Sequence, residues 1–320
     1  MDAVQTKNGK SFEYACLDSL YRALSPTQDV NIEETSQLEM ARNSFLATST
    51  GIRSKLVMAA DAATRVVLNL EPQLEHPDAN TPLFLSLQTD DQREESDVRD
   101  VVCMRKQNNW EIGLSCKNNH RDAKHNRLSA TIDFAEEWFG IACSREYFDT
   151  VTPVFEELGA MREKSSGRAL WSSIDNKSDR FYAPILRAFM DELHRLDREN
   201  PLVVPKGLIR SLVGSTDCYK VITDNTRSTT WIEAINIDGT LGRPANGVSN
   251  SSVPCQKMPT QIVSMDFRVN SNKHVEIAFD EGWSISAMMR CISTRITPAL
   301  MLVLSFESFP STRHILTEAW

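Results

Sequence analysis

Asp100 and Lys117 stand at the two ends of a stretch that reads as a hairpin: Asp100-Val-Val-Cys-Met-Arg-Lys106, then Gln-Asn-Asn, then Trp110-Glu-Ile-Gly-Leu-Ser-Cys-Lys117. Asn108-Asn109 supply a two-residue turn, because Asn tolerates the positive φ angles such loops require. With that turn, Asp100 faces Lys117 across the ladder, Val102 faces Ser115, Met104 faces Gly113 and Lys106 faces Glu111. The opposite face carries Val101, Cys103, Ile112, Leu114 and Cys116, which suits a core. A carboxylate and an ammonium side by side, flanked by a Ser, match the needs of metal-dependent phosphodiester hydrolysis.

The chemistry accounts for the residue types. A divalent cation neutralises the phosphate and lowers the pKa of an attacking water. Mg²⁺ takes one or two carboxylates together with carbonyls and waters, so Asp100 and the Cys116 carbonyl are natural ligands. An ammonium at Lys117 orients or deprotonates the water and stabilises the transition state. The bland alternative is a surface hairpin whose ends form an ion pair worth about 0.5 kcal/mol.

The wider run of residues carries a resemblance. Asp100 with Glu111-Ile-Gly-Leu-Ser-Cys-Lys117 is similar to the metal site of the PD-(D/E)xK nucleases, in the variant with Ser in place of the middle acid. The continuation Lys117-Asn-Asn-His-Arg-Asp-Ala-Lys-His125-Asn-Arg-Leu-Ser129 resembles the HaeIII-type restriction endonucleases, with weaker similarity from about Gly9 to Ser286. That resemblance implies cleavage of double-stranded DNA within GGCC, dependence on Mg²⁺, and a cognate DNA methyltransferase in the host. It departs from the pattern at three places. Arg99 stands where a Pro often precedes the first acid, Ser115 replaces the middle carboxylate, and Ala287-Met-Met-Arg-Cys-Ile-Ser stands where a polar strand with His and Asn is expected.

Ser115 is a poor cation ligand, so a second acid must complete the site. Glu111 lies about 20 Å along the strand from Lys117, at roughly 3.3 Å per residue, and pairs more naturally with Lys106. Glu13 opens the stripe Leu17, Leu20, Leu24 of an amphipathic helix from Ser11 to Leu24. It could reach the metal, as Gly-x-x-x-Glu does at the start of the first helix in nucleases this chain resembles (here Gly9-Lys-Ser-Phe-Glu13). It could equally complement the helix N-terminus, for about 0.3–1 kcal/mol. Glu136 is a third option.

Composition bounds the rest. The 320 residues suffice for one large or two small domains. The N-terminus is polar, without a secretory signal, and the longest apolar run, Ala299 to Leu304, cannot span a bilayer. The seven Cys lack paired close spacing, which points to a reducing cytoplasm and a soluble protein rather than a disulfide framework. Cys116, His120 and His125 do not read as a zinc site; the His pair fits phosphate contact or helix capping. The net charge of −8 argues against unspecific coating of nucleic acid, yet Lys117 to Arg127 holds four Lys or Arg against one acid. Charges beyond about 8 Å are largely screened at physiological salt, so a local basic cluster can still hold a phosphate.

Helices are expected over about 32–46, 54–70, 122–139, 144–163 and 182–196, with a strand at Pro82 to Gln88 beside the hairpin. After Pro201 strands take over, at 218–222, 229–235, 261–268, 275–279 and 283–286, with a long loop over 239–257. The expected fold is α/β (α+β): a nuclease core of a short mixed sheet flanked by helices over residues 1–200, and a β-rich lobe over 201–320 placed for DNA recognition. Asn119, His120, Lys124 and Arg127 are the expected phosphate contacts; Lys220 and Arg268, with Arg227 and Lys273, are candidate DNA-binding cations. The leading reading is a Mg²⁺-dependent endonuclease with Asp100, Lys117 and Glu13 in its site, acting on a palindrome as a homodimer. The alternatives are a decayed nuclease that only binds DNA, and a repair or junction nuclease of the same superfamily.

Overall fold

Phe12, Leu17, Leu20 and Leu24 repeat at helical spacing and are all buried, and their burial contributes about 1.5–3 kcal/mol each. They form the inner face of α1 (Ala3–Leu24) in the computed structural model, which describes residues 3–75, 81–88, 97–118, 123–244 and 253–320. The remaining helices are α2 (Ser36–Leu46), α3 (Thr50–Leu70), α4 (Pro72–Glu75), α5 (Phe134–Phe139), α6 (Arg145–Lys164), α7 (Ala183–Glu199) and α8 (Val203–Val213). Their starts follow sequence: Thr35 accepts from the Leu38 N–H at 3.1 Å, and Ser144 from the Tyr147 N–H at 3.1 Å. Among the described residues no helix is long and apolar enough to cross a membrane.

The strands are β1 (Val30–Ile32), β2 (Leu83–Leu87), β3 (Val101–Arg105), β4 (Trp110–Asn118), β5 (Ala123–Leu128), β6 (Cys218–Asp224), β7 (Thr229–Ile235), β8 (Ile262–Phe267), β9 (His274–Phe279), β10 (Ser284–Cys291), β11 (Leu300–Ser308) and β12 (His314–Ala319). A mixed seven-stranded sheet has the order β1-β2-β3-β4-β6-β7-β12, and a five-stranded antiparallel sheet the order β5-β11-β10-β9-β8. In the first sheet one face is apolar. Val101, Cys103, Ile112, Leu114, Cys116, Tyr219, Val221 and Ile232 share a core with the inner faces of α1 and α3. The alternate residues Ser115, Lys117, Lys220 and Glu233 therefore lie on the other face.

Strands β4 and β6 run parallel, so the chain must leave the sheet and return in the same direction. That excursion carries α5 to α8. The chain divides into two compact units, one of 1–121, 213–256 and 312–320, the other of 122–212 and 257–311. The units are interleaved along the sequence, in place of a single boundary at 200, and β6 and β7 belong to the first sheet rather than to a separate C-terminal lobe.

Several expected elements differ. The 122–139 helix is instead β5, a short connection and α5; Ala123-Lys-His-Asn-Arg-Leu has no apolar stripe at helical spacing, and its backbone pairs with β11 from Leu128↔Leu300 to Ala123↔Ser305. The 32–46 helix begins only at Ser36, after β1. The stretch from Ala287, where the resemblance was expected to fade, continues β10 through Cys291 and pairs with both β9 and β11.

Candidate metal and catalytic site

The hairpin of β3 and β4 forms, with a register two residues from the expected one. Val101 pairs with Leu114, Val102 with Gly113, Cys103 with Ile112, Met104 with Glu111 and Arg105 with Trp110. Continued by one step, this register sets Asp100 opposite Ser115, not Lys117. The cause is the turn: Lys106–Asn108 make a single 3₁₀ turn and only Asn109 is left-handed, at φ 49°, so the connection holds four residues instead of two. A slip of two keeps every side chain on its face. Asp100, Ser115 and Lys117 therefore still share one, with Lys117 diagonal to the acid.

The diagonal is short enough. Lys117 Nζ lies 3.5 Å from Asp100 Oδ2, and the same oxygen accepts the Cys116 N–H at 2.7 Å. The Asp100 backbone is fixed as well, its N–H donating to the Leu114 carbonyl at 2.7 Å and its carbonyl accepting from the Gln88 N–H at 3.1 Å. In an extended residue N–H and C=O point to the same edge, so the Cys116 carbonyl faces the edge on which its N–H meets Asp100.

Glu13 is buried on α1, paired with Lys10 at 3.0 Å. Its charge acts on the Lys117 ammonium and the Cys116 thiol, the two groups on which Asp100 also acts. The acid in the apolar stripe and the acid of the hairpin thus act on the same two groups. Burial pulls the Lys117 pKa down, but the Asp100 carboxylate, by its charge and its hydrogen bond, and Glu13 together outweigh it, and the net pKa stands above the ordinary lysine value. Lys117 is therefore charged at neutral pH. The Cys116 thiol, hydrogen-bonded to the free Cys16 thiol and buried, is pushed well above its usual value and stays protonated.

The donor set fits a hard cation. Among the described residues no three His, Cys, Asp or Glu side chains gather as a metal cage, and the nearby Cys116 thiol is held neutral. Two carboxylates, Asp100 and Glu13, with one backbone carbonyl and solvent, match the way Mg²⁺ is held and are a poor match for zinc.

The other expected residues are distributed as follows. Asn119 and His120 lie outside the described residues. Lys124 and Arg127 are exposed on the edge strand β5 of the second sheet, opposite Leu304 and Met301. Lys220 sits on β6 between Ser115 and Glu233, on the face that carries Lys117. Arg268 is held by Glu276 at 2.5 Å and Glu307 at 2.7 Å, which offset its charge. Glu136 is exposed on α5. Glu111 is bound to Arg99 at 2.7 Å and Lys106 to Glu33 at 2.6 Å, so the expected Lys106–Glu111 pair is absent. The shift of register places Glu111 opposite Met104 instead.

Sequence reasoning passed over Arg99. Its guanidinium is buried and meets Asp97 and Glu111. One signal pointed to it: a glycine in mid-strand, Gly113, marks close approach by another group.

Comparison with known proteins adds to this geometry. A family model for the HaeIII restriction endonuclease matches residues 9–310. The chain is 35% identical over 315 residues to the type II restriction enzyme HaeIII of Haemophilus aegyptius, covering 98% of this chain and 97% of that protein. The matched region runs well past Ser286, so the similarity extends into β10 and β11. No solved structure matches.

Proposed function

This chain belongs to the HaeIII restriction endonuclease family and is a DNA-cleaving hydrolase, and we propose that it cuts both strands of GGCC sites in double-stranded DNA with Mg²⁺. The observation that carries the proposal is the 3.5 Å approach of the Lys117 ammonium to a buried Asp100 carboxylate, with Glu13 acting on the same ammonium.

Asp100, Glu13 and the Cys116 carbonyl would hold the cation. When bound, it supplies charge neutralisation of the phosphate and a more acidic water. Asp100 is kept in place by the Cys116 N–H and by its own backbone bonds. Lys117 is held protonated, so its role is to donate to the attacking water or to a phosphoryl oxygen and to stabilise the negative charge that develops there. Ser115, buried beside them on β4, takes the place of an acid without supplying charge. Lys124 and Arg127 on β5, with Asn119 and His120, are assigned to the phosphate backbone, and Lys220 to the DNA near the site. A twofold-symmetric target favours a homodimer, and a host carrying such an activity needs a matching DNA methyltransferase in the same cytoplasm.

The test is digestion of a plasmid of known sequence by purified protein with MgCl₂ or with EDTA. Discrete fragments ending at GGCC, with MgCl₂ alone, are the expected result. Retained binding without cleavage would establish a decayed nuclease, and nicking confined to branched or damaged DNA would establish a repair enzyme.

A further inference from the structure

We propose that Arg99 is a positioning residue for the metal site: by lying across Gly113 and forking between Asp97 and Glu111, it locks the backbone from which Asp100 projects. The inference rests on the assignment of Asp100 as a cation ligand.

The stem of Arg99 occupies the space of a missing side chain. A Cβ built on Gly113 would fall 2.2 Å from Arg99 Cδ, 2.6 Å from Cγ and 2.9 Å from Cβ. No side chain other than hydrogen fits at 113 while Arg99 stays there. The head group is held on two sides. Nε donates to both Asp97 oxygens at 3.0 Å, Nη2 donates to Asp97 Oδ2 at 2.8 Å, and Nη1 to Glu111 Oε1 at 2.7 Å. The backbone N–H of Arg99 also donates to Asp97 Oδ1 at 2.9 Å.

This fork continues to Asp100 through Gln88. The Gln88 side chain donates to Asp97 Oδ2 at 3.1 Å, while its backbone N–H donates to the Asp100 carbonyl at 3.1 Å. The segment 97–100 is thus fastened to the end of β2 and to the middle of β4 at once. Two carboxylates offset the Arg99 charge, and the residue is only 6% exposed, so it is badly suited to hold a DNA phosphate. A planar fork that fixes a ligand-bearing backbone accounts for an arginine here, where lysine has no equivalent geometry.

Groups that orient a metal ligand are typically worth 10–100-fold in metal affinity or activity. The experiment compares wild type with Arg99→Lys, Glu111→Gln and Asp100→Asn. It reads Mn²⁺ affinity from loss of the free-ion EPR signal, the MgCl₂ concentration for half-maximal cleavage, and thermal unfolding. Arg99→Lys should weaken Mn²⁺ binding and raise the MgCl₂ requirement by about 10–100-fold, with cleavage recovering at high MgCl₂. Unchanged Mn²⁺ affinity in a folded Arg99→Lys protein overturns the inference, whatever happens to its melting temperature. If that variant does not fold, Glu111→Gln decides: half-exposed and removing one arm of the fork, it should shift both metal readouts several-fold in the same direction, and no shift overturns the inference. Asp100→Asn separates the two levels. Were it to bind Mn²⁺ and cut normally, the site assignment itself would fail; were it dead while Arg99→Lys kept normal metal dependence, only the role of Arg99 would fail.

Discussion

Glu71 offers a stability test whose size follows from its surroundings. It follows α3 directly and has no exposed surface. Oε1 accepts from the Tyr219 hydroxyl at 2.6 Å and from the Gly242 N–H at 2.6 Å, while Oε2 is buried with no hydrogen-bond partner among the described residues. Burial pushes its carboxyl up to about 7 from an ordinary 4.5, against the opposing pull of Tyr219 and Gly242. Between those two values the folded protein holds a proton that the unfolded chain has lost. Stability therefore falls as pH rises from about 4.5 to about 7, and this contribution is flat on either side. At about 1.4 kcal/mol per pH unit, the loss is on the order of 3 kcal/mol. Glu71→Gln removes the titration and keeps an acceptor for Tyr219 and Gly242. In urea unfolding from pH 5 to pH 8, the variant should gain on wild type by about 3 kcal/mol across the range, even if an unpaired amide lowers both ends. A difference between the two proteins that stays constant with pH would refute the reasoning.

Three further expectations follow from single positions. Glu13→Gln should raise the MgCl₂ concentration needed for cleavage by about tenfold, and an unchanged requirement would return Glu13 to a helix-end role beside Lys10. Gly207→Ala brings a Cβ to 2.4 Å from Phe139 Cδ1, so chemical unfolding should show about 1–3 kcal/mol of lost stability; a neutral result would mean that α8 shifts freely. Asp217 accepts from the N–H groups of Ile237, Asp238 and Thr240 and from the Thr240 hydroxyl, at 2.6–3.0 Å. Asp217→Ala should cost on the order of 3 kcal/mol and speed amide exchange at 237–240, and protection equal to wild type would show that the turn holds itself.

The parts of this molecule that were legible in its sequence are those set by periodicity. The alternation of β3 and β4 assigned Asp100, Ser115 and Lys117 to one face and Val101, Leu114 and Cys116 to the core, and those assignments survive a two-residue slip because side chains alternate with period two. Glu13 stood out because an acid heads an otherwise apolar stripe. The turn was misread because Asn108 and Asn109 suit a two-residue loop as well as the end of a 3₁₀ turn. β5 was illegible because Ala123 to Leu128 is polar and gains its strand conformation from pairing with β11, some 175 residues later in the sequence. The interleaving of the two units was hidden for the same reason: which strands become neighbours is a property of the folded chain. Arg99 looked only like a missing Pro, and nothing in the local pattern tied it to Asp97 two residues earlier or to Glu111 across the hairpin.

The most direct measurement is single-turnover cleavage of GGCC-containing DNA by Asp100→Asn and Lys117→Ala at saturating protein and MgCl₂. Both should lose about 100-fold or more in rate while binding the same DNA with little change. A folded variant of either kind that cuts at close to the wild-type rate would contradict the assignment of the paired acid and amine as the site of hydrolysis.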